Sequence, residues 1–383
     1  MTDETRPLAG LRAIDLTSEL GALAGKLLAD LGADVIKVEP PGGDPARRLG
    51  PFADGQPDPE RSLTFWHDNA GKKSVVLDVE TDQGRAALFD LARGADLFLE
   101  SCRPGWLATR GIGPADLRAA NPALVVASIS PFGQTGPYRD HRATEIVGWA
   151  LGGYMSRCGD PDRPPLMGGV NPARQVAGLT GAIGSLAAVL RARRTGRGCH
   201  LDLSQQEAIA SLGEAVTMMY VHEKQLYRRN GSDYPLVVPM IILPAADGYV
   251  HTVSVTVGQW DQLTTMLAID DAVEDLLEER WADNIARRAH RDHVIGVVAR
   301  WLATRPKQET MIRAQEEFRL PFAVTATTED AANDPQLAAL DFWVEVDQPA
   351  IGRRVRQAGP APIFKGRRRP ELRPAPRLGE HQR

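Results

Sequence analysis

Short apolar segments alternate with amphipathic segments along the first half of the chain. Segments 11–16, 35–39, 74–78, 96–100 and 124–129 are five or six residues long and rich in Val, Leu and Ile, which is typical of buried strands. Helical patterns of about 10–15 residues stand between several of them. The alternation predicts right-handed βαβ crossovers, a mostly parallel sheet and an α/β fold class. Ligands on such sheets bind beyond the carboxyl ends of the strands.

The second half of the chain changes its pattern twice. Residues 174–194 form a helix rich in small residues, followed by a strand at 200–204 and a helix at 206–225. The composition becomes polar at 227–234, as at a linker. Residues 235–330 then show the pattern of a second, smaller α/β unit, with helices expected at 258–268, 283–302 and 307–316.

Length and charge narrow the class of protein. A chain of 383 residues is long enough for about two domains. The chain has 45 Lys and Arg residues and 49 Asp and Glu residues, which gives a net charge of −4. This charge argues against a nucleic-acid surface. It does not argue against a local basic pocket for a phosphorylated ligand. No apolar run reaches the ~18 residues of a spanning helix, and the start, MTDETRPLAG, lacks a signal-peptide core. We therefore expect a cytoplasmic protein that does not enter a membrane.

Cysteine and histidine spacing does not favour a metal site. Cys102, Cys158 and Cys199 form no CxxC pair, and no HExxH motif is present. His290 and His293 share one helical stretch without a visible companion ligand. We expect a reduced protein without a metal ion.

Common cofactor and hydrolase motifs are also absent. The chain has neither a P-loop nor GxGxxG after the first strand, which argues against an ATP or nicotinamide enzyme. It has no GxSxG elbow, which argues against an α/β-hydrolase.

Several longer strings resemble one enzyme family. They are LAGLRAIDLTSELGALAGKLLADLGADVIKVEPPGGDPAR, GKKSVVLDVETDQGR, ADLFLESCRPGWLATRGIG, NPALVVASISPFGQTGPY, RRTGRGCHLDLSQQEA, DGYVHTV, DPQL and RLGEH. In this order they resemble family III CoA-transferases (CaiB/BaiF-like), the group that includes formyl-CoA transferase, carnitine CoA-transferase and α-methylacyl-CoA racemase. The resemblance covers nearly the whole chain.

The resemblance implies a domain arrangement. It places a Rossmann-like, CoA-binding large domain at 1–225, a small domain with linkers at 226–330, and a C-terminal segment at 331–383 that returns to the large domain. Family members form interlocked dimers, so it also implies a self-dimer or a related partner.

The resemblance further implies a binding site for coenzyme A, which enters as an acyl-CoA substrate. The positions that match the family's CoA contacts are Leu20, Gly21, Leu77, Asp78, Val79, Ser101, Cys102, Arg103, Arg110, His141, Arg142 and Glu145. Nucleotide phosphates favour arginine, whose guanidinium forks onto oxygen atoms, and Arg47, Arg103 and Arg110 are candidates.

The family's catalytic residue is replaced in this chain. In these transferases an Asp attacks the donor thioester to form an anhydride and then an aspartyl-CoA thioester, which splits one difficult step into easier ones. The Asp lies four residues before a Gly that matches Gly178, and here that position is Arg174. A cation stands where the chemistry requires an anion.

Two further positions differ from the family. The racemase branch uses a His at the position of Thr144, and the transferase Gln after the first strand is replaced by Leu20. The neighbouring Glu145 matches an acidic position of the family, where a supporting hydrogen-bonding role is favoured over a nucleophilic one.

Three interpretations remain open at this point. In the first, the chain is the non-nucleophilic subunit of a heteromeric CoA-transferase that moves CoA from an acyl-CoA to a carboxylate or dicarboxylate, resembling the Asp-lacking subunit of benzylsuccinate CoA-transferase. Its partner would supply the Asp, and the lone chain would be inactive. In the second, it is a homodimeric CoA-ester-binding or regulatory protein, or a racemase-like lyase or isomerase that uses Glu145. In the third, it is an ordinary transferase whose nucleophile lies elsewhere.

Overall fold

The computed structural model describes residues 6–213, 215–360, 362, 364 and 372–382. Parts of the predicted C-terminal segment, including the arginine-rich run 367–369, lie outside these residues. The chain divides into two compact units. Unit 1 comprises Met1–Met155, Met167–Leu226 and Pro335–Arg383, and unit 2 comprises Ser156–Leu166 and Tyr227–Asp334.

A six-stranded parallel sheet forms the centre of unit 1. Its strands are β1 (Arg12–Leu16), β2 (Asp34–Glu39), β3 (Lys73–Val76), β4 (Leu97–Glu100), β5 (Val125–Ser130) and β6 (His200–Ser204). Their spatial order is β3-β2-β1-β4-β5-β6, so the chain reverses its winding direction at β1 and β4. In the register, Ile14 of β1 pairs with Ile36 of β2 and with Phe98 of β4. The predicted α/β class with a mostly parallel sheet is confirmed.

Helices cover both faces of this sheet. They are α1 (Ala22–Asp30), α2 (Leu63–Asn69), α3 (Asp82–Arg93), α4 (Pro114–Ala120), α5 (Glu145–Leu151), α6 (Pro172–Thr195), α7 (Gln205–Ser211) and α8 (Val216–Glu223). On one face Leu28 of α1 and Ala177 of α6 share an apolar core with Leu99. On the other, Leu88 of α3 and Leu117 of α4 pack with Phe98. Burial on both faces explains why the strands read as continuous apolar runs.

Small residues let α6 lie close to α1. A Cβ added at Gly178 would stand 2.8 Å from the Cβ of Leu23, too near for any side chain there. Among the described residues α6 is also the one helix long and apolar enough to cross a membrane, a composition that core helices share. It packs on α1 and β5 through eight buried residues, most of them small, whereas its larger apolar residues Leu179, Ile183 and Leu190 are exposed.

Unit 2 has its own sheet and core. Its elements are β7 (Met240–Ala245), β8 (Gly248–Val253), α9 (Val257–Ile269), α10 (Asn284–Ala289), α11 (Arg291–Leu302), α12 (Lys307–Glu316), β9 (Ala323–Val324) and α13 (Thr328–Ala332). The sheet is antiparallel in the order β7-β8-β9. Trp260, Val297, Trp301 and Phe322 are among the buried residues of its core.

The chain then returns to unit 1 through α14 (Pro335–Ala339), β10 (Trp343–Gln348) and β11 (Arg353–Ala358). The last two form an antiparallel hairpin. The sequences of the two strands, WVEVDQ and RRVRQA, alternate partly between apolar and polar residues, as strands do. The sequence analysis did not predict this hairpin, because the tail is rich in proline and arginine.

Two predicted helices are each divided in the structure. The prediction at 206–225 corresponds to α7 and α8, and Glu214, which lies outside the described residues, falls between them. The continuous helix expected across 283–302 is interrupted at His290, whose φ of −122° and ψ of 37° are not helical. In both cases the apolar pattern continues across a backbone break, so periodicity alone could not locate it.

Candidate active site

The predicted CoA contacts after β1, β3 and β4 lie at the carboxyl edge of the parallel sheet. Ser18 and Ser101 follow the neighbouring strands β1 and β4, and the Ser18 N–H donates to Ser101 Oγ at 2.9 Å. This bond joins the loop that carries Leu20 and Gly21 to the loop that carries Ser101 and Arg103. The edge where ligands bind in such folds is therefore built from the predicted positions.

Gly21 allows the chain to turn tightly from β1 into α1. Its φ of 90° lies in the left-handed region that disfavours side chains. An added Cβ would also lie 3.1 Å from both Ile129 Cδ1 and Thr17 Cγ2. Leu20, which precedes it, is half-buried against the core shared by α1 and α6.

Buried charges hold the loop after β1 from beneath. Lys37 Nζ lies 2.6 Å from Asp44 Oδ2 and donates to the Thr17 carbonyl at 2.7 Å. Asp15 forms an ion pair with Lys72 at 2.6 Å, and all four of these charged side chains are buried. Burial by itself would raise the pKa of Asp15, but attraction to Lys72 and Lys37 outweighs it and holds the pKa below its usual range.

Arg174 lies in the first turn of α6, between two acidic side chains. Its Nη1 is 3.4 Å from Glu19 Oε2, and its Nη2 is 3.8 Å from Asp68 Oδ2. Its side chain is 13% exposed. Its Nε is buried and has no hydrogen-bond partner among the described residues. The position matched to the family's nucleophile thus carries a cation faced by two carboxylates, neither of which sequence reasoning had identified.

The Glu145 carboxylate caps the same helix. Glu145 Oε1 accepts the Ala173 N–H at 2.5 Å, and Oε2 accepts the Arg174 N–H at 3.0 Å. These amides belong to the first turn of α6, where helical backbone donors lack an internal acceptor. Both carboxylate oxygens are therefore engaged in supporting the helix. The dipole of α6 also stabilises the negative charge of Glu145 at this helix start.

The backbone is strained directly ahead of this cap. Val170 and Asn171 have φ values of 61° and 54°. For a β-branched residue such as Val170 the left-handed region is an outlier, and strain of this kind concentrates at functional sites. Pro172 follows as the first residue of α6, a favoured position for proline.

The predicted phosphate-binding arginines have different environments. Arg103 is well exposed, and its guanidinium is 3.8 Å from Asp140 Oδ1. Arg110 is held by Glu80 Oε1 at 2.7 Å and stacks 3.9 Å above the Trp106 ring. Arg47 is buried and contacts Glu39, Glu60, the Pro376 carbonyl and the Phe65 ring, so it has a structural role rather than one in phosphate binding.

The remaining predicted contacts also divide by exposure. His141 is exposed and stacks on Tyr138 with ring centroids 4.9 Å apart, and Arg142 is exposed beside it. Leu77 and Asp78 line a groove of about 800 Å³ that runs along β3 and α3. Val79, in contrast, is buried in the core beneath α3.

Cys102 is not a competent nucleophile in this environment. Burial and the adjacent Glu100 carboxyl raise the pKa of its thiol far above neutrality. The Glu100 side chain is itself buried, which raises its pKa, and it accepts the Cys102 N–H at 2.6 Å. Among the residues that the structure describes, no group of His, Cys, Asp and Glu is arranged to hold a metal ion.

Comparison with known proteins decides the family. The sequence model of CoA-transferase family III matches residues 8–382. The chain belongs to this family. The predicted family, the enzyme class of CoA-transferase and the use of coenzyme A are thereby confirmed.

Individual relatives match over almost their whole length. The succinate–glutarate CoA-transferase of Agrobacterium fabrum is 33% identical over 395 residues, which span 100% of this chain and 95% of that protein. Subunit BbsE of succinyl-CoA:(R)-benzylsuccinate CoA-transferase from Thauera aromatica is 33% identical over 380 residues, 97% of this chain and 92% of that subunit. This chain is also similar to the crystal structure of a CAIB/BAIF family protein from Brucella suis, with a TM-score of 0.86 and 30% sequence identity. The match covers 98% of this chain and 97% of the Brucella suis chain.

Proposed function

We propose that this family III CoA-transferase chain is the non-nucleophilic subunit of a heteromeric enzyme that moves CoA between dicarboxylates. The main support for this proposal is the presence of Arg174. At the position matched to the catalytic Asp stands a guanidinium that lies 3.4 Å from Glu19 and 3.8 Å from Asp68. A partner chain of the same family would supply the nucleophilic Asp.

Glu145 gives little support to a lyase or isomerase function. Its two oxygens accept the backbone amides of Ala173 and Arg174, so it has no unoccupied oxygen directed at a substrate. A base that removes a proton must reach that proton within hydrogen-bonding distance. Glu145 instead fixes the start of α6.

Relatives supply the substrate class. The Agrobacterium fabrum enzyme is named for succinate and glutarate, and the Thauera aromatica subunit for succinyl-CoA and benzylsuccinate. All of these acids carry two carboxylates. The second relative is also named as a subunit, which accords with a heteromeric assembly.

Exposed apolar side chains on α6 support an obligate partner, whether a second copy or a related chain. Leu179, Ile183 and Leu190 lie on one face of the helix and are 50%, 64% and 70% exposed. Met218 and Val221 of α8 are 60% and 55% exposed. Exposed apolar patches of this kind mark interaction surfaces.

One observation favours a second candidate, a self-sufficient transferase that uses Glu19. The Glu19 side chain is 49% exposed and precedes Leu20 and Gly21 at the carboxyl edge of the sheet. Its carboxylate would attack the acyl-CoA carbonyl, release CoA thiolate and form the anhydride. Its pairing with Arg174 weighs against this role, because the guanidinium withdraws charge from the attacking oxygen.

Co-expression separates the two candidates. The chain should be purified alone and also together with a family III chain that has Asp at the position matching Arg174. Succinyl-CoA plus a dicarboxylate acceptor should give turnover only with the complex. Turnover by the homogeneous lone chain, abolished by Glu19→Gln, would replace the subunit proposal with the self-sufficient one.

A further inference from the structure

The Arg174 guanidinium has unused hydrogen-bonding capacity. Arginine carries five N–H donors in a rigid fork. Its Nε is buried without an acceptor among the described residues, and its two contacts, at 3.4 Å and 3.8 Å, are longer than the 2.7–2.9 Å typical of charge-assisted bonds. A buried donor without an acceptor is unfavourable. The described protein groups therefore leave part of the Arg174 donor set without an acceptor.

The two carboxylates that face Arg174 are not equivalent. Asp68 is buried in α2, and its Oδ1 is engaged by His67 Nδ1 at 2.8 Å. Glu19 lies in the loop after β1 with its side chain half exposed, and Arg174, at 3.4 Å, is its one hydrogen-bond or ion-pair partner within the described part of the chain. An exposed ion pair contributes little to stability. Glu19 can therefore turn into solvent readily, while Asp68 stays and orients the guanidinium.

Arg174 lies where the family resemblance places the reacting end of a CoA ester. It lies in the first turn of α6 at the position matched to the nucleophile, next to the loop that leads to Gly21. A fork of N–H donors is complementary to the two oxygens of a carboxylate. A hydroxyl or an amide of the substrate in the same place would leave the positive charge of Arg174 without a counter-ion.

We infer that Arg174 binds the distal carboxylate of a dicarboxylic acyl group, which replaces Glu19 as its counter-ion while Asp68 orients the guanidinium. This specificity role rests on the proposed function, since it assumes a dicarboxylic substrate. It explains why a cation occupies a site that lost its nucleophile. The residue reads the substrate, and the partner performs the acyl exchange.

The test compares succinyl-CoA with butyryl-CoA, which has the same four-carbon chain without the distal carboxylate. Calorimetry on the purified chain and on its complex measures both affinities. Arg174→Gln should weaken succinyl-CoA binding about 10- to 100-fold, the scale of a charge-assisted hydrogen bond. Butyryl-CoA binding should change less than about twofold. Glu19→Gln should strengthen succinyl-CoA binding by up to about fivefold by removing the competing carboxylate.

Arg103→Gln is the matched control. Because the family resemblance assigns Arg103 to the CoA phosphates, which both esters share, its loss should weaken the binding of both esters equally. Arg174→Lys keeps the charge without the fork and should retain part of the discrimination, which covers the case in which Arg174→Gln fails to fold.

Equal effects of Arg174→Gln on both esters, no effect on either, or no binding of either ester by the folded wild-type chain would overturn the inference. Turnover by the lone chain would overturn the subunit proposal and leave the difference in binding intact.

Discussion

The Glu145 carboxylate holds the main chain of Arg174, with Oε2 accepting its N–H at 3.0 Å. The backbone at residue 174 is thus fixed through Glu145, independently of the side chain found there. The arrangement separates two properties of the site. The backbone position is set by a helix cap, whereas the charge carried at that position is set by the side chain of residue 174.

Removal of this cap should destabilise α6. Glu145→Ala leaves the amides of Ala173 and Arg174 without their acceptor, so we expect the free energy of unfolding to fall by about 1–2 kcal/mol. Guanidinium unfolding monitored by circular dichroism measures the change. Glu207→Ala, which removes an exposed first-turn Glu from α7, should stay within about 0.5 kcal/mol. A similar effect of the two substitutions would show that the cap is not stabilising.

The buried ion pair beneath the loop after β1 should be highly sensitive to truncation. Lys72→Met leaves Asp15 charged and buried, so we expect a loss of about 3–5 kcal/mol. The adjacent Lys73 pairs with Asp34 at 2.7 Å while about two-fifths exposed, and Lys73→Met should change stability by less than about 1 kcal/mol. Urea unfolding of both variants decides the matter. Equal losses would mean that burial of the pair has no particular importance.

Acid should destabilise unit 1 through the same network. The pKa values of Asp15, Glu39 and Asp44 are all held below their ordinary values, because ion pairs and hydrogen bonds outweigh the effect of burial. A carboxyl whose pKa is lower in the folded than in the unfolded protein stabilises the fold. This stabilisation is complete above the unfolded-state pKa of about 4, and it is lost as the pH falls through the folded-state pKa.

The free energy of unfolding should therefore be steady near neutrality and fall steeply below about pH 4. Urea titrations at a series of pH values measure it. The Asp15→Asn/Lys72→Met double variant should show a shallower decline. A profile that is flat into acid, or equally steep in the double variant, would contradict this origin.

Much of the fold could be predicted because its strands are buried on both faces. Runs such as Val35-Ile36-Lys37-Val38-Glu39 identify strands directly, and the charged Lys37 and Glu39 inside this run signalled a buried ionic network that sequence reasoning did not use. Charged residues are seldom fully buried unless they are paired.

The composition of the site could not be predicted in full. Glu19 and Arg174 are 155 residues apart in the chain, and only the winding of the sheet brings them together. The resemblance identified Arg174 as an anomaly, and the fold shows which acids face it. The breaks at His290 and between α7 and α8 were missed because apolar periodicity continues across them.

Reversal of the charge at residue 174 should expose the repulsion that Arg174 now prevents. Arg174→Asp would set a third carboxylate near Glu19 and Asp68, so we expect it to be about 1–2 kcal/mol less stable than the neutral Arg174→Met at low salt. Adding Glu19→Gln, or raising the ionic strength, should restore part of the loss. Urea midpoints of the variants measure this. Equal stability of Arg174→Asp and Arg174→Met would show that the two acids do not sense residue 174.

We propose that this chain has no carboxylate of its own that accepts an acyl group or CoA. The most direct measurement is intact-protein mass spectrometry of the homogeneous chain after incubation with succinyl-CoA, with hydroxylamine added to a parallel sample. We expect an unchanged mass for the lone chain, and a hydroxylamine-sensitive CoA adduct on the partner when the complex is tested. A CoA adduct on the lone chain, lost in Glu19→Gln or mapped to any other Asp or Glu, would contradict it.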